Sequence, residues 1–202
     1  LQPEPVKGGC AAAPGLELFA LPVEALQREP FEHAGRLEQR RDRLRRRQSL
    51  ESGALPLVLG GDHSLAAGSV AASADWVRHT SGRPLGVIWV DAHADFNTHE
   101  VTPSGNIHGM PVACLCGVGP EALTMLGGSA PAIGADSLRQ IGIRSVDAGE
   151  KRLVKEHGLD IYDMRYIDEL GIKRAMEEAL EGIDANTHVH VSFDVDFLDP
   201  AI

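Results

Sequence analysis

The sequence predicts an α/β fold of three layers, in which helices cover both faces of a mostly parallel sheet. Apolar, β-branched runs such as residues 87–90 and 189–193 alternate along the chain with segments of helix-forming residues. Several of these runs end abruptly in Asp or His, and the ligand sites of open parallel sheets lie beyond the carboxyl ends of the strands. With 202 residues, of which 43% are apolar, the chain can bury a core as a single domain spanning residues 1–202.

The first fifty residues divide into two parts. Residues 1–30 begin without Met, hold four prolines among their first 22 positions, and show neither a signal peptide nor a strand pattern. Residues 31–50 are rich in helix formers and predict a helix, with seven Arg between positions 36 and 47. Because acidic residues are interleaved with these Arg, we expect a solvated helix face rather than a nucleic-acid or membrane patch.

The middle of the chain alternates strand, helix and loop signals. The run at residues 55–59 predicts a strand after the helix stop at Gly53, and the Ala-rich residues 64–77 predict a helix. Residues 97–111 are rich in Gly, Pro and Asn and predict a polar loop. Residues 117–136, which Gly and Pro punctuate, predict a segment that wraps the surface.

The C-terminal third repeats the alternation. Residues 140–144, 160–164 and 188–193 predict three strands, and residues 167–181 predict one helix. Strands joined through helices are typical of a parallel sheet, because a parallel connection needs a crossover.

The charge and composition of the chain limit the classes of partner that it could bind. The net charge is −10 and the pI is about 5.3, which argues against a nucleic-acid or anionic-membrane surface. No apolar run approaches the ~20 residues that cross a membrane. Cys10, Cys114 and Cys116 are an odd count without a zinc-type partner pair, which favours reduced thiols and a cytoplasmic protein. We therefore expect a small-molecule ligand, with no nucleic-acid and no membrane partner.

Three side chains of metal-ligand type follow the strand of residues 87–90. Asp91, His93 and Asp95 occupy every second position, so in an extended chain they point to one face. On a helix the first two would lie about 200° apart. A solvated turn would explain a single Asp at a strand end, but three such residues in register favour a metal site.

Two further strands end in the same residue types. Asp194 and Asp196 follow the strand of residues 188–193, and His63 follows the strand of residues 55–59. Because the carboxyl ends of parallel strands share one edge of the sheet, we expect all of these side chains to converge there.

Charge predicts how many ions this edge holds. The carboxylates of Asp91, Asp95, Asp194 and Asp196 would repel one another at an apolar sheet edge without a counter-charge. One divalent ion leaves two negative charges, whereas two ions balance all four. Four carboxylates with two imidazoles are too oxygen-rich for a typical structural zinc site and suit manganese. We predict two Mn²⁺ ions per subunit.

Four segments carry a resemblance to a known family. Residues 60–64 (Gly-Gly-Asp-His-Ser), 91–95 (Asp-Ala-His-Ala-Asp) and 192–196 (Ser-Phe-Asp-Val-Asp) resemble the three signature motifs of the ureohydrolases. Residues 104–111 (Ser-Gly-Asn-Ile-His-Gly-Met-Pro) narrow the resemblance to the arginase branch. The resemblance runs from about Leu55 to the end of the chain, and residues 1–54 are poorly matched.

The resemblance implies metal-dependent hydrolysis of L-arginine to L-ornithine and urea by a hydroxide that bridges two manganese ions. Asp91 and Asp194 would bind both ions. Asp95 would hydrogen-bond the bridging oxygen and pass its proton, and His108 would relay protons to the leaving amine. The implied ligands are His63, Asp91, Asp95 and Asp194 for one ion and His93, Asp91, Asp194 and Asp196 for the other.

The resemblance also implies a set of substrate contacts. Asn97, Ser104 and Asn106 would bind the α-carboxylate of the amino acid. Asp147 would contact its α-amino group directly, and Glu150 would do so more weakly or through water.

Arginases continue beyond the point that matches residue 202, with further strands and a Glu that holds the guanidinium group. They also open with a strand and a Gly-rich loop that residues 1–30 do not display. We therefore expect a fragment truncated at both ends, with a sheet that is incomplete at the C-terminus and with very weak turnover. The resemblance further implies a homo-oligomer, either a trimer or a hexamer.

Three alternatives remain open at this point. An agmatinase or a guanidino-acid hydrolase would keep all six metal ligands and read a different substrate tail, although Ser104 and Asn106 favour a carboxylate. A zinc deacetylase of related fold would need fewer carboxylates and a single ion. A non-catalytic binding or assembly subunit could retain the fold without the chemistry.

Overall fold

A parallel sheet of four strands lies at the centre of the described part of the protein. The structure is a computed structural model that describes residues 16–20 and 34–199, and it describes side chains from residue 43 to residue 199. The strands are β1 (Leu16–Ala20), β2 (Leu55–Leu59), β3 (Leu85–Val90), β4 (Leu138–Ile141), β5 (Asp160–Tyr162) and β6 (His188–Phe193). The helices are α1 (Ala34–Glu51), α2 (Leu65–Trp76), α3 (Pro111–Leu115), α4 (Glu121–Thr124), α5 (Ala148–His157), α6 (Met164–Leu170) and α7 (Ile172–Ala179).

The strand order places β3 inside the sheet. The four strands run β5-β4-β3-β6, and every pair is parallel. In register, Val87 of β3 lies opposite Leu138 on one side and His190 on the other. The carboxyl ends of β3 and β6 therefore lie side by side, which is the arrangement that the sequence predicted for the ligand-bearing strands.

Both faces of the sheet are covered, so the predicted three-layer α/β fold is confirmed. Val87 and Trp89 of β3 pack into a core that contains α2 and α3. Ile88 and Val90 point to the opposite face and pack with Ala179 of α7. A strand that is buried on both faces consists of a nearly continuous run of apolar residues, and β3 has this composition.

A second parallel pair joins β1 and β2, with Leu16 opposite Leu55. The prediction that residues 1–30 contain no strand is wrong, because β1 occupies five of them. A strand this short carries too few alternating positions to be recognised from its own sequence, and its pairing with β2 decides its conformation.

Two glycines end secondary-structure elements at positions where the sequence analysis predicted that the elements would continue. Gly171, with φ +85°, separates α6 from α7 where one helix was predicted. Gly142, with φ +93°, ends β4 at Ile141, three residues before the predicted end at Arg144. β5 also ends early, because Asp163 caps α6 by accepting a hydrogen bond from the Tyr166 backbone N–H.

Two predicted surface segments contribute to the core. The Arg-rich α1 was expected to face solvent, yet Arg43 and Arg47 reach the buried carboxylate of Asp75 on α2 at 3.2 and 3.1 Å. These two ion pairs orient one face of α1 towards α2. The predicted surface wrap of residues 117–136 includes α4, and Leu123 within it is buried.

The edge of β6 is open in the described part of the chain. β2 and β6 share no hydrogen-bond ladder, and a cavity of about 470 Å³ lies between them. Leu55 and Leu57 on β2 and Val191 on β6 expose 69%, 42% and 59% of their surface. Unpaired strand edges that carry apolar side chains favour self-association.

Among the described helices, none combines the length and apolar character needed to cross a membrane.

Burial of His190 on β6 predicts a pH-dependent stability. His190 is 3% exposed, and its Nδ1 lies 3.0 Å from Ser73 Oγ. Burial and the nearby charge of Arg46 lower the pKa of His190 well below its usual value of 6.5. Below pH 6.5 the unfolded chain therefore binds a proton at His190, whereas the folded chain does not.

We expect this residue to lower the free energy of unfolding by up to about 1.4 kcal/mol per pH unit as pH falls below 6.5. Urea unfolding followed by circular dichroism between pH 7.5 and 5 measures the slope, and His190→Gln is the matched variant. The variant should lose part of the decline. Identical slopes in the two proteins would contradict the assignment.

Candidate metal centre

The six predicted metal ligands reach one place from the ends of three strands. Asp91, His93 and Asp95 follow β3, Asp194 and Asp196 follow β6, and His63 follows β2. The backbone between them is not the extended chain that the period-2 argument assumed. β3 ends at Val90, and Asp95 has φ +50°, the left-handed region that non-glycine residues rarely adopt. Backbone strain of this kind is concentrated at functional sites.

The first ligand group surrounds His63. Its Nδ1 lies 2.9 Å from Asp91 Oδ2, 3.2 Å from Asp95 Oδ2 and 3.3 Å from Asp194 Oδ2. One imidazole nitrogen and three carboxylate oxygens thus face one point, and His63, Asp91 and Asp194 have the spacing of a metal site.

The second ligand group lies beside the first. His93 Nδ1 is 3.0 Å from Asp196 Oδ2 and 3.5 Å from Asp91 Oδ1. Asp91, His93 and Asp196 also have the spacing of a metal site. Asp91 therefore directs one carboxylate oxygen to each group, as the sequence predicted for a shared ligand. Asp194 lies in the first group, so its bridging role remains a prediction.

The chemistry of these atoms fits a bound cation. His63 Nδ1 and Asp95 Oδ2 are buried and have no hydrogen-bond partner of normal geometry within the described residues. Burial opposes protonation of His63, but the carboxylates of Asp91 and Asp95 beside it raise its pKa to about 10. Burial raises the pKa of Asp95. A positive charge is therefore favoured at the point these side chains face, and a metal ion would displace the proton.

Neighbouring side chains orient the ligands. Trp89 Nε1–H donates to Asp91 Oδ2 at 2.9 Å, and the Trp89 ring stacks on His63 at 4.3 Å between centroids. His63 Nε2 lies 2.9 Å from Ser192 Oγ, which fixes the ring so that Nδ1 faces the carboxylates. The sequence analysis missed Trp89 and Ser192. Each stands on a strand, two positions before a candidate ligand Asp that follows that strand, and this spacing was the available signal.

A cavity of about 330 Å³ opens over both ligand groups. Such a volume suits a small molecule. Four of the five predicted substrate-binding residues and the predicted proton relay line it, namely Asn97, Ser104, Asp147, Glu150 and His108. Asn106 does not line the cavity; its backbone N–H donates to Ser104 Oγ at 3.2 Å. The predicted contact of Asn106 with substrate stays a prediction.

Glu150 has a structural task in addition to its place in the cavity. Its Oε1 accepts a hydrogen bond from the Phe96 N–H at 2.8 Å, and its Oε2 accepts one from the Asp147 N–H at 3.3 Å. The second contact belongs to a capping box that starts α5. Glu150 therefore ties the start of α5 to the segment that follows Asp95. Asn97 Nδ2 donates to Asp147 Oδ2 at 3.3 Å and closes the same side of the cavity.

His108 is paired with a residue beside the first ligand. Its Nδ1 lies 3.2 Å from Asp62 Oδ2, and Asp62 Oδ1 accepts a hydrogen bond from the Ser64 N–H at 3.0 Å. Asp62 therefore connects His108 to the turn that precedes α2. His108 is half-exposed, as a residue that exchanges protons with solvent requires.

Comparison with known proteins decides the family. The sequence model of the arginase family matches residues 23–202. The chain belongs to the arginase family. The match begins at residue 23, so it includes much of the stretch that the motifs left unmatched. The arginase of Bacillus caldovelox is 48% identical over 155 residues, which are 76% of this chain and 50% of that protein.

Solved arginases have the same fold. The arginase structure from Bacillus subtilis has a TM-score of 0.76 at 43% identity, covering 83% of this chain and 56% of that one. The Entamoeba histolytica arginase, solved in complex with L-ornithine, has a TM-score of 0.76 at 32% identity, covering 85% and 57%. The chain spans about half the length of the curated relatives it matches.

The shared position of Asp91 predicts how metal binding responds to substitution. Asp91→Asn should weaken binding of divalent ions at both ligand groups by roughly tenfold or more, because each group loses a charged oxygen. Asp196→Asn, the matched variant, should weaken only the group around His93. Titration of the metal-free protein with Mn²⁺, followed by electron paramagnetic resonance, counts the sites and their affinities. Equal effects of the two variants would argue against a shared ligand.

Proposed function

We propose that the protein hydrolyses L-arginine to L-ornithine and urea. The observation that carries the proposal is the pair of metal-type ligand groups that share Asp91 at the floor of a cavity lined by polar side chains. The relatives named arginase support the same reaction. A zinc deacetylase would need one ion and fewer carboxylates, so the second ligand group argues against it.

We propose that two Mn²⁺ ions are held by His63 and His93 with the four carboxylates. Oxygen-rich ligand sets favour manganese over structural zinc, and two divalent charges balance four carboxylates. When bound, such ions would supply a hydroxide nucleophile at neutral pH.

Asp95 is suited to handle the proton of that nucleophile. Its carboxylate lies in the first ligand group and lines the cavity, so it would be close enough to accept that proton. The guanidinium carbon is a poor electrophile because its charge is delocalised. Positioning of the reactants and stabilisation of the developing tetrahedral centre must therefore supply most of the rate.

His108 is placed to protonate the leaving amine of ornithine. It lines the cavity, and an imidazole can both donate and accept a proton. The carboxylate of Asp62 accepts a hydrogen bond from Nδ1–H of His108 when that nitrogen is protonated, which leaves Nε2 for the reaction.

The polar side chains on one side of the cavity would bind the α-carboxylate and the α-ammonium group of the substrate. Asn97 and Ser104, with Asn106 beside them, offer donors to the α-carboxylate, and Asp147 offers a carboxylate to the α-ammonium group. Glu150 lies behind Asp147 and holds its backbone in place. Agmatine lacks the α-carboxylate, so this side of the cavity favours arginine over agmatine.

We propose further that the protein is cytoplasmic and forms a homo-oligomer, a trimer or a hexamer, as the family resemblance implies. The acidic net charge of −10 supports the absence of a nucleic-acid partner.

We expect L-arginine to be preferred over agmatine by tenfold or more. An unpaired buried polar group costs about 1–3 kcal/mol, and about 1.4 kcal/mol corresponds to a factor of ten. Release of urea by the Mn²⁺-loaded protein measures both rates. Ser104→Ala should lower the rate with arginine and leave the rate with agmatine nearly unchanged. Comparable rates with the two substrates would refute the assignment of this loop.

A further inference from the structure

Arg144 connects the segments that carry the second ligand group. It lies just beyond β4, and its backbone N–H donates to the carbonyl of Ala92, between Asp91 and His93, at 2.8 Å. The neighbouring Ser145 N–H donates to the same carbonyl at 2.9 Å, and Ser145 forms a parallel bridge with His93. The backbone of Arg144 is thereby fixed to the segment that follows β3.

The side chain of Arg144 reaches the other segment. Its guanidinium group donates to the backbone carbonyls of Asp196, Phe197 and Leu198, the last two at 3.1 and 3.3 Å. These carbonyls belong to the tight turn that follows β6, which includes the helical turn Val195–Phe197. One charged side chain thus satisfies three successive backbone acceptors of the turn that presents Asp196.

A second contact holds the same turn from the same side. The Phe197 ring lies over Gly142, where a Cβ atom would come within 2.2 Å of Phe197 Cδ2. Phe197 also packs against the core cluster of Ile88, Val90 and Ile141. The turn is therefore attached to the end of β4 by an apolar contact and by the Arg144 hydrogen bonds.

The ligand itself completes the connection. Asp196 Oδ1 accepts a hydrogen bond from the Ala92 N–H at 3.2 Å, while Oδ2 faces His93. Ala92 thus contacts Arg144 through its carbonyl and Asp196 through its amide. The position of Asp196 relative to His93 depends on how firmly the turn is held against this segment.

We propose that Arg144 is a positioning residue for the metal centre, which fixes the turn after β6 so that Asp196 and His93 stay at ligand distance. The inference rests on the proposed metal-dependent function and assigns a role to a residue outside the ligand set. It predicts a selective effect, since the group around His63 draws on Asp91, Asp95 and Asp194, none of which Arg144 contacts.

The planar fork of arginine is what the geometry uses. A guanidinium group carries five N–H donors in fixed directions and can serve several carbonyls at once. A lysine ammonium carries the same charge as a single point and cannot reproduce that arrangement. Comparison of Arg144→Lys with Arg144→Met therefore separates the hydrogen bonds from the charge.

The test is a Mn²⁺ titration of the metal-free 202-residue chain, followed by electron paramagnetic resonance. Both Arg144→Lys and Arg144→Met should weaken one of two ions by roughly 10–100-fold, the usual effect of losing a group that orients a ligand. The other ion should keep its affinity within about twofold. Arg165→Met removes an exposed arginine on α6 that pairs with Glu169, and it should change neither affinity.

Amide hydrogen exchange gives a readout that needs no metal. The N–H groups of Phe197 and Leu198 donate within the turn to Asp194 and Val195. In the metal-free Arg144 variants their exchange should accelerate several-fold relative to the wild type and to Arg165→Met. Unchanged exchange would overturn the proposal whether or not metal binds.

The remaining outcomes are also decisive. Full rescue of affinity by Lys would show that charge alone matters and would overturn the proposal, as would equal weakening of both ions. If the wild-type chain bound no Mn²⁺, the proposed function would fail. The exchange rates would still decide the role of Arg144 in holding the turn.

Discussion

The crowding of carboxylates around His63 is the constraint on which the site depends. Asp91, Asp95 and Asp194 each direct an oxygen to within 3.3 Å of one imidazole nitrogen. Two like charges 4 Å apart repel by about 4 kcal/mol at an effective dielectric constant of 20, so this arrangement requires a cation. The same carboxylates raise the pKa of His63.

The fold supplies the rigidity that such crowding needs. β3 and β6 are adjacent and parallel, so their carboxyl ends deliver ligands side by side. Trp89 is fully buried and connects the core to the candidate ligands. Its ring packs in the core, and its Nε1–H donates a hydrogen bond to Asp91. Packing, hydrogen bonding and ligand geometry are therefore coupled at the carboxyl ends of these strands.

Much of the site was predictable because its signals are local. Five of the six candidate ligands follow apolar strands at spacings of two, and His63 follows a third strand, so the sequence pointed to the six side chains that the structure brings together. The conformation of Asp95 was not predictable in this way. Its left-handed backbone accompanies contacts to α3, where the Val112 N–H donates to the Asp95 carbonyl, and such contacts are remote in sequence.

The errors in the fold have the same origin. β1 forms through pairing with β2, and α1 turns its arginines to Asp75 through packing on α2. The sequence of β1 or of α1 alone does not show which element it packs or pairs with. Asp62 is an intermediate case, because it stands next to the ligand candidate His63 in the sequence but only the structure shows that it contacts His108.

The central claim is that Asp91 serves two cations at once. Crystals of the protein soaked in Mn²⁺ and measured by anomalous diffraction at the manganese edge test it directly. The account predicts two anomalous peaks about 3.5–4 Å apart, each within coordination distance of a different oxygen of Asp91. A single peak, or two peaks of which only one contacts Asp91, would contradict it.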